Sequence, residues 1–289
     1  DDLMSFPIVL PPKIEQDEIA CFLDRETAKI DDLVAEQERL IALLKEKRQA
    51  VISHAVTKGL NPDAEMKDSG VDWLGEVPAS WGVSPMKYVV GFSSGGTPSK
   101  DKPEYWGEGF PWASAKDLKS FELLDTIDHV THRAVDDEVA KLQPANSVLV
   151  VVRGMILART FPVSIVRQPT SINQDLKALR PSSKLLADFL AWYLVGTQNE
   201  SLSRLDEAGH GTKALRMDVW RSLQICLPPL KEQKEVCSYL EVTLAKIDHL
   251  VTQSQNAIDL LNSRRSALVS AAVIGKIDVR GLVDTEEAA

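Results

Sequence analysis

The chain has 289 residues, 44% of them hydrophobic, enough to fill the core of one large domain or two smaller ones. No apolar run, the short Val148–Val152 stretch included, approaches the length of a membrane span and no basic-then-apolar leader is read, so a membrane-spanning helix is excluded and a cytoplasmic protein expected. A net charge of −9 argues against a broadly basic nucleic-acid surface. Cys21, Cys226 and Cys237 lack the CxxC or Cys/His spacing of a zinc site, so no metal is expected and the thiols read as buried.

In chain order, the first feature is half of a repeat. Residues 10–60 laid over residues 227–277 share 21 identities in 51 positions without a gap. Leu10-Pro11-Pro12 matches Leu227-Pro228-Pro229, Glu15-Gln16 matches Glu232-Gln233, and Ala28–Asp31 matches Ala245–Asp248. One structural unit is therefore used twice. Each copy opens on Pro-Pro and then runs about 43 residues to Gly59 or Gly275 without proline or interior glycine, the pattern of one long helix. At ~1.5 Å per residue each rod would measure about 65 Å. Apolar residues recur every seven positions at Ile19, Leu23, Ile30, Leu33, Leu40, Leu44 and Val51, and in the second copy at Val236, Leu240, Ile247, Leu250, Ala257, Leu261 and Leu268. So narrow a stripe seeks another helix, and the two copies are expected to pair antiparallel along it. Gln37 with Ser254, and Lys47 with Arg264, place polar groups in both seams, where they would fix register. Glu15, Gln16, Glu232 and Gln233 at the helix starts read as caps of free backbone N–H groups, or as contacts to a partner.

Residues 62–226 differ in texture, holding all six tryptophans and most of the prolines. They read as a separate mixed α+β domain, with strands at Ser147–Arg153, Ile156–Arg159 and Val163–Arg167. A helix is expected over Ser182–Leu205, capped by Ser182 or Ser183, with Leu185, Leu186, Phe189, Leu190 and Tyr193 inward. Residues 141–180 carry Lys141, Arg153, Arg159, Arg167, Lys177 and Arg180 against Asp175, six positive charges to one negative. This basic strip is either a solvated sheet face or a phosphate-facing surface.

Several landmarks in this domain combine with the repeat. They are Pro78, Trp81 and Gly82, then Gly96-Thr97-Pro98-Ser99, Tyr105-Trp106-Gly107, Pro111-Trp112, Asn173-Gln174, Gly211-Thr212 and Leu223–Pro229. Together with a following helix that opens Leu-Pro-Pro-x-x-Glu-Gln, they resemble the DNA-sequence-specificity subunit of type I restriction-modification systems. The resemblance covers almost the whole chain and implies a non-catalytic subunit in which recognition domains alternate with spacer helices. It implies double-stranded DNA, DNA methyltransferase subunits and an ATP-dependent restriction subunit as partners. S-adenosylmethionine, ATP and Mg would then reside on those partners, with no cofactor in this chain. Phe6–Pro12 aligns with Leu223–Pro229, so residues 1–12 read as the exit of a first recognition domain that is absent; the chain would be a fragment or a natural half-length version. The expected layout is therefore spacer helix 1 at 13–61, recognition domain at 62–226, spacer helix 2 at 227–280 and a tail at 281–289.

Candidate DNA contacts follow. Thr97, Ser99 and Lys100 lie in the glycine-rich loop Gly95–Lys100, which either meets a phosphate or forms an ordinary polar turn; its spacing is not that of a Walker loop. Tyr105, Trp106 and Trp112 line a groove or fill the core. Arg153 and Arg159 can fork onto a guanine edge or contact phosphate, and Asn173 and Gln174 have the amide chemistry for adenine, or for holding a turn. Thr212, Lys213 and Arg216, with His210, form a second flexible basic loop, a phosphate clamp or a linker.

No Asn-Pro-Pro-aromatic string, HExxH or nucleophile elbow is present, Asn61-Pro62-Asp63 being the nearest to the first, so no catalytic residue is assigned. The reading carried forward is an α+β recognition domain, flanked by two helices in an antiparallel coiled coil, that reads one half of a split DNA site and docks methyltransferase subunits. Two copies can pair as a homodimer. The alternatives are a coiled-coil adaptor that makes no DNA contact, which suits the acidic total, and a self-sufficient DNA-modifying enzyme.

Overall fold

A computed structural model of the chain describes residues 10–207 and 211–282. Residues 1–9 of the expected domain exit, His210 of the second basic loop and residues 283–289 of the tail lie outside the described residues. In chain order the elements are α1 (Lys13–Lys58), β1 (Met66–Asp68), β2 (Glu76–Pro78), β3 (Gly82–Pro85), β4 (Val90–Ser94), β5 (Trp106–Ala113), β6 (Glu122–Leu123) and β7 (Asp128–Val130). Next come α2 (His132–Asp136), β8 (Leu142–Gln143), β9 (Ser147–Val151), β10 (Arg153–Gly154), β11 (Val163–Val166), β12 (Thr170–Ile172), β13 (Leu176–Pro181), α3 (Ala187–Gly196) and α4 (Gln198–Leu202). The chain closes with β14 (Leu205–Glu207), β15 (Lys213–Leu215), α5 (Met217–Trp220), β16 (Gln224–Leu227) and α6 (Leu230–Val273). It divides into two compact units, residues up to 48 with those from 244 onward, and residues 49–243. No described helix is long and apolar enough to cross a membrane.

The first unit is a helix pair made from the repeat. Two ion pairs set its direction: Arg48 Nε to Asp248 Oδ1 at 3.3 Å and Arg265 Nε to Asp31 Oδ1 at 3.0 Å. Arg48 and Arg265 occupy equivalent repeat positions, as do Asp31 and Asp248. The two contacts are therefore mates across a pseudo-two-fold axis, and the helices run antiparallel. The seam, however, is not the expected stripe. Buried or half-buried positions run Ile30, Val34, Gln37, Ile41 and Leu44 in α1, and Ile247, Val251, Ser254, Ile258 and Leu261 in α6. Leu33, Leu40 and Leu250 are instead 52%, 42% and 46% exposed. Four-three spacing permits either stripe wherever two adjacent residues are apolar, as Leu33-Val34 and Leu40-Ile41 are, and packing selects the second. Gln37 and Ser254 lie in the seam as expected, whereas Lys47 and Arg264 are exposed. At one end Phe22, Ala272 and Val279 form a small core, with Ile19, Leu23, Leu268 and Ile277 against it.

The second unit is built on a five-stranded sheet of order β4-β13-β9-β11-β6, antiparallel except for the β11–β6 pair. The run Ser147–Val151 is buried at every residue, as is β11, which is why these strands read as continuous rather than alternating apolar segments. A four-stranded sheet of order β7-β5-β12-β8 forms beside it, with Tyr105, Trp112, Val130, Ala134 and Ala140 as a local core.

Helix α3 packs on β9, β11 and β13 and, apart from Asp188 in its first turn, is apolar around its circumference, as a helix enclosed by its surroundings must be. It starts at Ala187, not Ser182, and neither Ser182 nor Ser183 caps it; both are exposed. It ends at Gly196, with α4 following as a separate short helix. Of the five residues read as inward-facing, Leu185, Phe189, Leu190 and Tyr193 are buried and Leu186 half-buried.

Glutamines from the two long helices hold both ends of α3. Gln233, fully buried, accepts the Leu186 N–H at 2.8 Å and donates to Lys184 O at 2.9 Å and Pro228 O at 2.8 Å. Gln49 donates to Val195 O at 3.1 Å and Gly196 O at 3.2 Å, partnering carbonyls that a helix end leaves free. Gly196 has no room for a side chain, because a Cβ there would press on Ile52 and Val56. Val236 and Leu240, expected in the helix pair, are buried within this second unit. Glu232 accepts from Trp81 Nε1 at 2.7 Å, and Gln16 donates to Pro11 O at 2.8 Å as Gln233 does to Pro228. At their own helix starts both glutamines donate to proline carbonyls and cap no N–H there; the N–H that Gln233 does satisfy belongs to α3.

Candidate nucleic-acid interface

Strand polarity gathers the candidate residues. In the central sheet β9 pairs antiparallel with β13 and β11, and β13 with β4, so Ser94, Val151, Val163 and Leu176 all lie at one end. The segments leaving that end are 95–100, 152–162 and 173–175. They are joined by main-chain bonds: Gly96 N–H to Ile172 O at 2.9 Å and Val152 N–H to Asp175 O at 2.8 Å. Strand β15 completes the patch by pairing with β10, Arg153 opposite Ala214 and Gly154 opposite Lys213, and Leu215 N–H donates to Val152 O at 2.8 Å. Residues far apart in sequence, Thr97, Arg153, Gln174 and Lys213, thus share one sheet end.

The glycine-rich loop is held from below. Gly95 is required because a Cβ would collide with the Ile172 carbonyl, whereas Gly96 faces open space. Trp112 Nε1 donates to Gly96 O at 3.0 Å and Trp106 Nε1 to Ser99 O at 3.1 Å. These aromatics buttress the loop; Trp112 is buried, while the half-buried Trp106 also lines an open cavity with Gly107, Gly109, Ile127 and His129. Tyr105 is 7% exposed with its hydroxyl donating to Asp137 at 3.1 Å, so its ring is core, not a DNA-facing surface. Thr97, Ser99 and Lys100 are exposed, with Thr97 Oγ1 donating to Gln174 Oε1 at 2.7 Å. Asn173 is 8% exposed and its Oδ1 accepts the Asp175 N–H at 3.1 Å, the turn-holding role. Gln174 is exposed, and its amide nitrogen has no partner among the described residues.

The cations at this end fall into two groups. Lys213 pairs with Glu207 at 2.7 Å, holding that carboxyl below its usual pKa, and Arg216 lies 3.5 Å from Asp206 and 3.9 Å from Asp218. Thr212 beside them is half-buried. Lys100, Arg153 and Arg159 are exposed and have no carboxylate within 4.0 Å among the described residues. Arg167, from the same basic strip, is instead consumed structurally, bonding Glu122 and Asp188, each at 2.5 Å. Lys177, opposite Ser94 at the same end, bonds the Ser94 hydroxyl and likewise has no carboxylate within 4.0 Å among the described residues. Chemically, then, the patch offers exposed cations, hydroxyls and the Gln174 amide donor.

One segment departs from its sequence reading. Ile156–Arg159 is not a strand: Met155–Ala158 is a 3₁₀ turn, entered through Gly154 at φ 153° and ψ 161°, a conformation open essentially to glycine alone. Arg153 and Arg159 therefore bracket a projecting turn. Burial raises the thiols of Cys226 and Cys237 to about 12, consistent with structural cysteines.

A mixed α/β head is set in the chain between two copies of one long helix and brings Lys100, Arg153 and Arg159 to one sheet end, the layout of a head carried on paired helices. Residues 78–260 match the family model for the type I restriction modification DNA specificity domain, and the chain belongs to that family. It is 29% identical over 246 residues to the EcoR124I/EcoR124II type I restriction enzyme specificity subunit of Escherichia coli, covering 82% of this chain and 55% of that one. It is 25% identical over 203 residues to the MjaIX specificity subunit of Methanocaldococcus jannaschii, covering 69% and 44%. The chain thus spans about half the length of these curated relatives. Among solved structures, a chain from work on complex assembly and conformational transition of the type I R-M system superposes with a TM-score of 0.71 at 18% identity, over 92% of this chain and 60% of that one. The HsdS subunit from Thermoanaerobacter tengcongensis gives 0.53 at 17%, over 94% and 64%. These structures share the fold.

Proposed function

We propose that this chain is a DNA-reading specificity module whose sheet end at Lys100, Arg153 and Arg159 meets one half of a split duplex site. The observation that carries the reading is the convergence of Lys100, Arg153 and Arg159, exposed and without a carboxylate within 4.0 Å among the described residues, on one sheet end of a protein with net charge −9, since an acidic protein can hold DNA only by concentrating positive charge locally. Membership of a DNA specificity family supports the same assignment.

The helix pair is the docking surface for methyltransferase subunits. Leu33 and Leu250, and likewise Leu43 and Leu260, are equivalent repeat positions that remain 46–71% exposed. A pseudo-two-fold pair with like apolar patches suits two copies of one partner. Those subunits would bring S-adenosylmethionine, and an ATP- and Mg-dependent restriction subunit the cleavage. Gln16, the counterpart of Gln233, has no recognition head bonded to it among the described residues, so a second head, from a longer chain or a second copy, would dock there.

The test is to reconstitute the chain with its methyltransferase subunit and profile methylation across DNA. One short recognised element is expected per head, with affinity falling steeply as salt rises. Salt-independent, sequence-blind behaviour would return the chain to the adaptor class.

A further inference from the structure

We infer that Met155 is a specificity-determining residue, an apolar tip that reads the methyl group of a thymine in the major groove; this rests on the DNA-reading assignment above. Single exposed apolar residues are ordinary, and exposure alone would carry nothing. Met155 differs in its setting. It is 72% exposed, while Leu157 in the same turn is 1% exposed and anchors the turn to the core. Gly154 sets the corner, and the turn is closed by Arg159 N–H and Thr160 N–H, both on Ile156 O at 3.0 and 3.1 Å. The strand before it is fixed to β15. The tip is thus presented by ordered main chain, so little ordering cost remains for binding. It is bracketed by Arg153 and Arg159, two cations without carboxylate partners among the described residues, at the sheet end where Lys100 also lies.

Whether such cations meet phosphates or base edges, they bring the turn between them to the groove. There an apolar side chain can distinguish one feature, the thymine C5-methyl, and the unbranched thioether of methionine adapts readily to such a surface.

The experiment uses the chain reconstituted with its methyltransferase subunit and duplexes carrying the site read by methylation profiling. Each thymine of the recognised half and its flanks is replaced singly by uracil, which removes only the methyl. For the wild-type chain one replacement should weaken binding about four-fold, the factor for one buried methyl. Met155→Ala should bind the thymine and uracil duplexes equally, with an unchanged unfolding midpoint, and Met155→Leu should retain part of the preference. A recognised half without thymine, or a uracil penalty that is the same in wild type and Met155→Ala, overturns the inference while leaving DNA reading intact. Wild-type binding with no site preference at all overturns the underlying assignment instead.

Discussion

The helix pair and the sheet end proposed to meet DNA are built on opposite plans. In the pair, one sequence used twice places equal residues at equal positions, so that Arg48–Asp248 and Arg265–Asp31 are the same contact made twice. The sheet end is assembled from segments that share nothing in sequence, held together by β13, β9 and the β10–β15 pairing. If the pair docks two like partners, as proposed, it must present like surfaces to them, and duplication supplies that directly. A reader must differ from its relatives, and loops leaving a fixed sheet can vary without disturbing the core beneath.

The comparison is broken most severely through burial. Ile247, 5% exposed in the seam, should lose about 2–5 kcal/mol of stability on truncation to alanine, whereas Leu250, 46% exposed three residues on, should lose less than about 1 kcal/mol. Urea unfolding of both variants checks this, and equal losses would mean that the stripe along Leu33, Leu40 and Leu250 is the true seam. Next in size is the glutamine comparison. Gln233→Ala strips partners from the half-buried Leu186 N–H and the Lys184 and Pro228 carbonyls, and should cost about 1–3 kcal/mol. Gln16→Ala removes only the bond to Pro11 and should cost about 1 kcal/mol or less.

At the sheet end the effects move from stability to affinity. Arg153→Ala or Arg159→Ala should leave the unfolding midpoint nearly unchanged. A phosphate contact would lower the salt slope of DNA binding by about one unit for all sequences, while a base contact would cost about 1–3 kcal/mol at one position only. Lys213→Ala, whose ammonium already faces Glu207, should change binding less than either. A Lys213 effect larger than both would show that the paired cations, not the free ones, face DNA.

What the sequence disclosed follows the same division. The repeat made the helices, their length and their antiparallel pairing legible, because 21 identities cannot hide, yet adjacent apolar pairs such as Leu33-Val34 left the stripe ambiguous. In the head, the strands of the core were legible as buried apolar runs. The turn at Met155–Ala158 was not, since its apolar residues imitate a strand and only Gly154 signals the corner. The start of α3 was misread for a different reason: its free N–H is satisfied by Gln233, 47 residues away, which no local capping pattern can announce. Trp106 and Trp112 were recognisable as landmarks, but their roles as props under Gly96 and Ser99 required the fold.

The smallest expected effect is also the sharpest test of the pseudo-symmetry. Arg48–Asp248 and Arg265–Asp31 are largely exposed ion pairs, so breaking either by Asp248→Asn or Asp31→Asn should cost only about 0–1 kcal/mol. What matters is their equality. If the pair is two-fold in energy as it is in geometry, the two losses should match within error and shrink together as salt is raised, because both contacts sit in solvent and are screened alike. The distances differ by little, 3.3 against 3.0 Å, and give no reason for asymmetry. Reversing one pair, with Asp31→Arg and Arg265→Asp together, should restore most of what Asp31→Arg alone removes. Urea unfolding at low and high salt measures all of these. A loss confined to one pair, or a reversal that fails to rescue, would mean that the two ends of the spacer are energetically different despite their shared sequence, and a partner docking at each would then meet two different surfaces.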